Sequence, residues 1–450
     1  MLKKSYFFSP PIPCTNRLPL ESAHQLKSAT QFERTIVGLL RKGNLPRAEV
    51  LLRTSLEKDP TNPKTFNFLG WIATAVNLST FAIPYFREAA RLAPYWQNPR
   101  INLEKVREHL KEGKDEPTSD GLEAKHTSKA EKFLLIKAWG HGFWSDVSHV
   151  LGQLLLAEIT GRVPVVHWGS NTLFSDHPDL NAFEFYFENI SSVCIGDLQK
   201  EEYDFWPPKW TQRNLTMSEI YKWKGPFSRV AGLYMLSRPE RVVVSDFYTF
   251  VIDLKPWIPI GHHLAGLSVD ELYRYLVRRY LRPKKEIVNE VDAFYKKHLA
   301  SSDFIAVHAR GSDKVTEMNN LLEVNRQYQR MIDKYLAAYN CNRIFLLTDD
   351  LKLFDYFIKL YGDKVITTQC QRTSSLQGVH NHAVPSRRRL AVEVMVDVYL
   401  AAKAKAFVGN GFSNPSQIVR YLKDWSDGEV CLLGPSLYHT PDMTLLIHNR

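Results

Sequence analysis

The chain has 450 residues, 44% hydrophobic and 24% charged, with 58 Lys+Arg against 48 Asp+Glu for a formal net charge of +10. This composition excludes a fibrous or largely disordered chain, and the length predicts two or three domains with sizeable cores. The basic excess is spread along the sequence rather than gathered into a tail, so it permits an anionic ligand without arguing for nucleic acid as a partner.

The five cysteines, Cys14, Cys194, Cys341, Cys370 and Cys431, are odd in number, far apart and in no C-x-x-C pair. Neither a disulfide framework nor a zinc site is indicated, and a reducing compartment fits. Near the N-terminus Lys3 and Lys4 precede Tyr6-Phe7-Phe8, but Pro10, Pro11 and Pro13 cut that run too short for a signal segment. No stretch approaches the roughly 20 apolar residues that span a bilayer. The expectation is a cytoplasmic protein with no transmembrane segment.

In chain order, a Pro-rich leader over 1–28 gives way to an amphipathic helical pattern over 29–112. Ala48 and Ala82 lie 34 positions apart, as do Leu56 and Ala90, and Pro60 and Pro94. That is the tetratricopeptide period, in which small residues let paired helices approach and each proline stops a helix where its apolar face ends. A plain helical bundle with chance spacing remains open. Two units and a helix near 97–111 predict a short all-α helical-repeat domain, with Trp71, Phe81 and Tyr85 as packing residues. Its surface would take a protein partner or another copy of the chain. Residues 113–131, hydrophilic and broken by Gly113, Pro117, Ser119 and Gly121, read as a linker.

A first α/β domain is predicted over 132–300. It opens with a strand at 133–136, a helix at 145–160 with Val147, Val150, Leu151, Leu154 and Leu155 on one side, and a strand at 163–166. The turn between strand and helix carries Gly140 and Gly142, beside His141 and Asp146. Such a turn either offers backbone N–H groups to an anion or simply packs tightly, and it lacks the third glycine and the distant acid of a dinucleotide fingerprint. Residues 168–260 are crowded with aromatics, from Trp168, Phe183 and Tyr186 to Tyr221 and Trp223. These read as loops pinned by aromatic packing, with a sugar-stacking acceptor groove as the alternative. Helical periodicity returns over 267–299.

A second α/β domain is predicted over 301–450, with strands at 304–308, 343–347, 364–367 and 405–409 alternating with helices at 323–338, 351–361 and 388–402. This alternation implies a parallel sheet. Arg387-Arg388-Arg389 opens the last of these helices, either as a solvated basic edge or as a pyrophosphate contact. Asp349-Asp350 after a strand is not a D-x-D metal motif, and no metal is expected.

The richest stretch is 303–317, D-F-I-A-V-H-A-R-G-S-D-K-V-T-E. A buried strand runs into a loop bearing His308, Arg310, Asp313, Lys314 and Glu317, at the strand end where open α/β sheets bind ligands. Arg offers a planar fork for phosphate, Lys a compact charge, and Glu or His a group able to take a proton. Taken alone, an exposed loop with solvated charges is the competing reading.

His308-Ala309-Arg310-Gly311-Ser312-Asp313-Lys314 resembles the H-x-R-R-x-D-K motif of the α1,6-fucosyltransferases. The likeness continues through Ile344–Asp350 ending in T-D-D, Gly378-Val379-His380-Asn381, the segment from Glu393 to Leu400, and Phe407–Ser413, and it covers roughly 301–425. Gly140-His141-Gly142 with His149-Val150 is similar to that family's G-x-G loop. Two departures stand out: Gly311 replaces the second Arg, and Glu317 lies one residue closer to Lys314 than the family's acid.

The resemblance implies a GT-B fold, two Rossmann-like domains facing a cleft, and metal-independent inverting transfer of L-fucose from GDP-fucose to a glycan or protein acceptor. GDP-mannose is the alternative donor, and a non-catalytic nucleotide-binding interaction protein the alternative class. It assigns Arg310, Lys314 and Ser413 to the leaving diphosphate, with Gly140 and Gly142 on the donor-facing turn. His308 and His380 become nucleotide contacts and Asp397 the guanine acceptor. Glu317, or Asp313, is the implied base, its pKa raised by partial burial.

Overall fold

The computed structural model describes residues 30–42, 61–75, 79–111, 131–206, 210–217, 238–245, 249–255, 262–318 and 320–437, with single positions 48, 51, 52, 55, 59 and 258. The leader over 1–28 and the linker from 113 to 130 lie outside the described residues. These residues divide into two compact units, one built from the helices up to residue 111 and one beginning at Glu131.

The first unit contains α1 (Gln31–Arg41), α2 (Pro63–Ala75), α3 (Ser79–Leu92) and α4 (Gln97–Lys111). Thr30 and Glu33 form a reciprocal capping box that starts α1, each side chain accepting the other's backbone N–H. Close helix approach explains the small residues. Ala48, Ala82 and Ala89 are fully buried, and a side-chain carbon on Gly70 would stand 2.6 Å from the Phe86 ring. A buried amide pair, Asn102 Nδ2 donating to Asn67 Oδ1 at 3.0 Å, ties α4 to α2. Trp71 and Tyr85 are buried packing residues.

The second unit is mixed α/β with two parallel sheets. In the first sheet the strand order is β2-β1-β4-β3, with β1 (Phe133–Lys137), β2 (Val163–His167), β3 (Phe205–Trp206) and β4 (Val242–Val244). Helix α5 (Phe143–Thr160) makes the crossover from β1 to β2 and stops at Gly161, whose φ of 62° suits a residue without a Cβ. The aromatic-rich segment supplies core. Trp168, Phe183, Tyr186 and Phe187 are essentially fully buried, and four of their rings or neighbours pack on Phe143. Tyr221 and Trp223 lie outside the described residues. Helices α6 (Val269–Tyr280) and α7 (Lys285–Phe294) lead to the second sheet.

That sheet has the order β7-β6-β5-β8-β9, all parallel, with β5 (Phe304–His308), β6 (Arg343–Leu347), β7 (Val365–Ile366), β8 (Ala406–Asn410) and β9 (Val430–Leu433). The chain adds strands to one side of β5, then returns and adds them to the other. The gap beyond β5 and β8 is therefore a topological switch point, the place where ligands enter doubly wound sheets. β5 is buried on both faces, as a central parallel strand must be. Helices α8 (Leu321–Arg326), α9 (Tyr328–Ala338), α10 (Leu351–Tyr361), α11 (Arg387–Ala401) and α12 (Asn414–Leu422) surround it.

Several elements differ from expectation. The helix expected at 323–338 is two helices meeting at Gln327, and the one expected across 267–299 is broken between Tyr280 and Lys285. The strands β3, β4 and β9 were not anticipated; runs of two to four residues carry too little periodicity to be recognised. The two sheets are stapled by side chains. Ser148 donates to Asn414 Oδ1 at 2.9 Å, Trp144 Nε1 to the Val394 carbonyl, and Tyr421 to Asp270 at 3.1 Å, with Arg420 also on Asp270.

Candidate active site

The site is built at the C-terminal end of β5. His308 is the last residue of the strand and is almost wholly buried. Its Nδ1 lies 2.6 Å from Ser416 Oγ on α12, across the β5–β8 switch point, while its carbonyl accepts from Tyr328 Oη at 2.6 Å. Ser416 Oγ also accepts from the Asn410 N–H at 3.0 Å. Burial, reinforced by Arg310, pushes His308 down to about 3, so it is neutral at physiological pH.

Arg310 does not project free. Its guanidinium donates to Asp313 Oδ1 at 2.7 Å and to Asp349 Oδ2, and Asn325 Nδ2 donates to its carbonyl at 3.1 Å. The open phosphate fork expected there is already engaged by two carboxylates, because a buried guanidinium needs counter-charge. Burial would raise Asp349, but Arg310 and the hydrogen bonds from Ser312 and Arg310 outweigh it and hold the carboxyl below its usual range. Asp349 Oδ1 is buried with no hydrogen-bond partner among the described residues. Ser312 adopts a left-handed φ of 44°, uncommon without glycine, which brings Oγ to 2.6 Å from Asp349 Oδ2 and 3.0 Å from Asp313 Oδ1.

Gly311 owes its identity to Asp350. A side-chain carbon there would stand 2.2 Å from Asp350 Oδ2, and Asp350 is fixed because Oδ1 caps α10 through the Lys352 and Leu353 N–H groups while Oδ2 takes the Ser312 N–H. The second Arg of the resembled motif therefore has no room here. Asp349 and Asp350 are committed to a guanidinium and a helix cap, and among the described residues no group of three His, Cys, Asp or Glu side chains could hold a metal. Gly311→Ala should destabilise the protein by about 2 kcal/mol, the loss of a cap and a hydrogen bond together. Urea unfolding checks this; a loss under about 0.5 kcal/mol, the low end for a lost cap, would show that Asp350 yields freely.

Lys314 begins a single helical turn, Lys314–Glu317, and is largely buried with Nζ 4.8 Å over the Phe412 ring. Burial lowers its pKa, opposed by Glu317, whose Oε2 lies 2.5 Å away. The Glu317 side chain is 45% exposed and held in that ion pair.

His380 comes from the loop after β7. It neighbours Asp313 across Gly378, and a side-chain carbon on Gly142 would stand 4.0 Å from its Cε1, so the turn after β1 faces the loop after β5 through this imidazole. The turn wraps a carboxylate of its own helix. The N–H groups of Trp139, Gly140 and His141 all donate to the Asp146 carboxylate at 3.2 Å. The Gly140 N–H is thus taken up by the protein's own carboxylate.

Asp397 lies on the buried side of α11, where Thr368 donates to Oδ1 at 2.5 Å. Burial raises its pKa to about 6 despite the hydrogen bonds from Thr368 and Cys370. Ser413 precedes α12, is buried, and makes no side-chain cap bond. The arginine run is mostly structural. Arg388 pairs with Glu286 at 2.5 Å and Arg389 with Glu290 at 2.6 Å, both on α7, and Arg387 donates to the His380 carbonyl. Asp176 receives the Ser386 hydroxyl and the Arg387 and Arg388 N–H groups, joining the first sheet's loops to the start of α11.

Asn325, Tyr328, Asp349, Asp350 and Ser416 escaped sequence reasoning as organisers of the site. The T-D-D after β6 was the one available signal for two of them.

No protein-family model matches the chain, and no curated protein matches it. Among solved structures it is similar to NodZ α1,6-fucosyltransferase soaked with GDP-fucose, at 17% identity over 65% of this chain and 92% of that one, TM-score 0.44. NodZ from Bradyrhizobium gives 18% over 65% and 92%, TM-score 0.42, and POFUT1 in complex with GDP gives 16% over 68% and 100%, TM-score 0.43. Among the described residues no helix is long and apolar enough to cross a membrane.

Proposed function

We propose that the protein is a nucleotide-sugar-dependent glycosyltransferase that moves L-fucose from GDP-fucose to a glycan or protein hydroxyl with inversion and without a metal. The observation that carries this reading is the placement of the motif residues His308 to Lys314 at the switch point between β5 and β8, with the buried carboxylate of Asp397 on α11 of the same domain. It joins the sequence resemblance to a position where a nucleotide can bind.

In this reading Asp397 accepts from the guanine N1–H and N2–H₂. The diphosphate meets Lys314, Arg310 and Ser413 at the start of α12, where a helix N-terminus favours negative charge. Departure of GDP develops charge on the phosphate oxygens, and positioned cations lower that barrier. The donor draws Arg310 partly from its carboxylates, while Asp313 and Asp349 keep the fork oriented. GDP-mannose is the alternative donor, and the helical unit presents the acceptor, a partner or another copy of the chain.

Incubating the full-length protein with labelled GDP-fucose, GDP-mannose, UDP-glucose and ADP-glucose and measuring hydrolysis tests the reading without an acceptor. Turnover of GDP-fucose above the others is expected. Binding of GDP in calorimetry with no turnover of any donor would instead support the non-catalytic interaction protein.

A further inference from the structure

We propose that His380, with Asp313 beside it, is the general base of the transfer, in place of Glu317; the inference rests on the donor reading above. A base must be neutral at working pH, oriented, and placed where acceptor and donor meet. Glu317 faces solvent and is held by Lys314. His380 is unprotonated at neutral pH and lies beside Asp313. Its Nδ1 and Asp313 Oδ2 both lie 2.9 Å from the position that a side-chain carbon on Gly378 would occupy, so imidazole and carboxylate crowd the same point with only a glycine between them. Asp313 is itself fixed by Arg310 and Ser312. Gly142, in the turn after β1, also faces Cε1, and the Phe174 ring centroid lies 6.4 Å away. Arg387 donates to the His380 carbonyl at 2.5 Å and anchors the loop.

The charged groups acting on the ring are Asp313, Arg310, Asp349 and Arg387. Burial, with the two arginines, lowers the imidazole pKa, so the ring is unprotonated at neutral pH, and Asp313 stabilises the imidazolium once formed.

The step balances. The acceptor oxygen bonds to the anomeric carbon as the carbon–oxygen bond to the diphosphate breaks, and the electron pair leaves with GDP. The acceptor proton passes to the imidazole Nε2 and then to solvent. In donor hydrolysis, water replaces the acceptor and the products are fucose and GDP.

The test uses the full-length chain with GDP-fucose hydrolysis followed between pH 5 and 9, and GDP affinity by calorimetry. His380→Gln should lower kcat about 10²–10⁴-fold, the usual share of a general base. Wild-type kcat at saturating GDP-fucose, where guanine already holds Asp397 as the carboxylate, should fall as pH drops below the ordinary histidine value of about 6.5, and that limb should vanish in the variant. Glu317→Gln should keep the limb whatever its rate. Gly378→Ala, which would place a carbon 2.6 Å from the imidazole, should mimic the His380 defect. His380→Ala should regain part of its rate with added imidazole, which a purely structural role would not allow. Hydrolysis by His380→Gln within threefold of wild type, or an acid limb lost in Glu317→Gln instead, overturns the base assignment while the donor reading survives. Wild-type protein that neither binds GDP nor turns over GDP-fucose overturns both.

Discussion

Arg310→Ala is expected to abolish donor turnover and to weaken the fold at the same time. Read from sequence, this side chain follows a strand end into a cleft, and its removal should leave stability untouched. In the structure the guanidinium is the counter-ion of Asp349 and Asp313, and the Asp349 side chain is only 19% exposed. Removing one partner of a buried pair typically costs 3–5 kcal/mol, because the remaining charge is left uncompensated. Turnover should fall a further 10²–10³-fold through the lost contact to developing phosphate charge.

The two effects separate in the double variant Arg310→Ala/Asp349→Asn, which removes the orphaned charge. Most of the stability should return while turnover stays lost. Denaturant unfolding and donor hydrolysis on the same samples measure both, and a single variant that unfolds like wild type would show that the ion pair contributes nothing. Arg310→Lys should recover little turnover, since an ammonium cannot bridge Asp313 and Asp349 as the fork does.

The second large effect is expected at Asp397, with opposite signs for stability and function. Its carboxyl titrates near 6 in the folded protein against an ordinary 3.8. The folded state therefore binds the proton more tightly than the unfolded chain. This carboxyl's contribution to stability is fully present below about pH 4 and is lost as pH rises through about 6. That difference corresponds to about 3 kcal/mol, so above pH 7 the buried carboxylate burdens the fold by up to that amount. Asp397→Asn should stabilise the protein by about 1–3 kcal/mol at pH 7.5, the gain shrinking towards zero near pH 4.

The same change should weaken GDP binding and blur the preference over ADP or UDP, because an amide cannot accept from both guanine donors. Thermal unfolding at pH 4.5 and 7.5, with GDP calorimetry, reads both halves. Unchanged GDP affinity would move base recognition elsewhere, and an unchanged melting point at pH 7.5 would mean that the carboxylate is adequately solvated. A site residue that improves the fold when neutralised is the pattern expected of groups kept for a ligand.

Sequence alone determined much of the second α/β half. The apolar runs of β5, β6 and β8 and the long pattern of α11 are local signals, since burial on both faces of a parallel strand demands consecutive apolar residues. The concentration of His308, Arg310, Asp313 and Lys314 after β5 was legible for the same reason: the four are neighbours in the chain. The partners of these groups were not legible. Asp349 lies 39 residues from Arg310 and meets it only because β6 pairs beside β5 in parallel register. That pairing turned an expected open phosphate fork into an ion pair, and it placed Asp350 where Gly311 must be a glycine. The Gly140 turn read as either an anion cradle or tight packing until Asp146 folded back into it, and the Lys314–Glu317 ion pair forms only once a helical turn brings the two side chains together. Periodicity reports which face of an element avoids water, whereas the pairing of charges depends on strand order and crossover, which arise from packing between segments far apart in the chain.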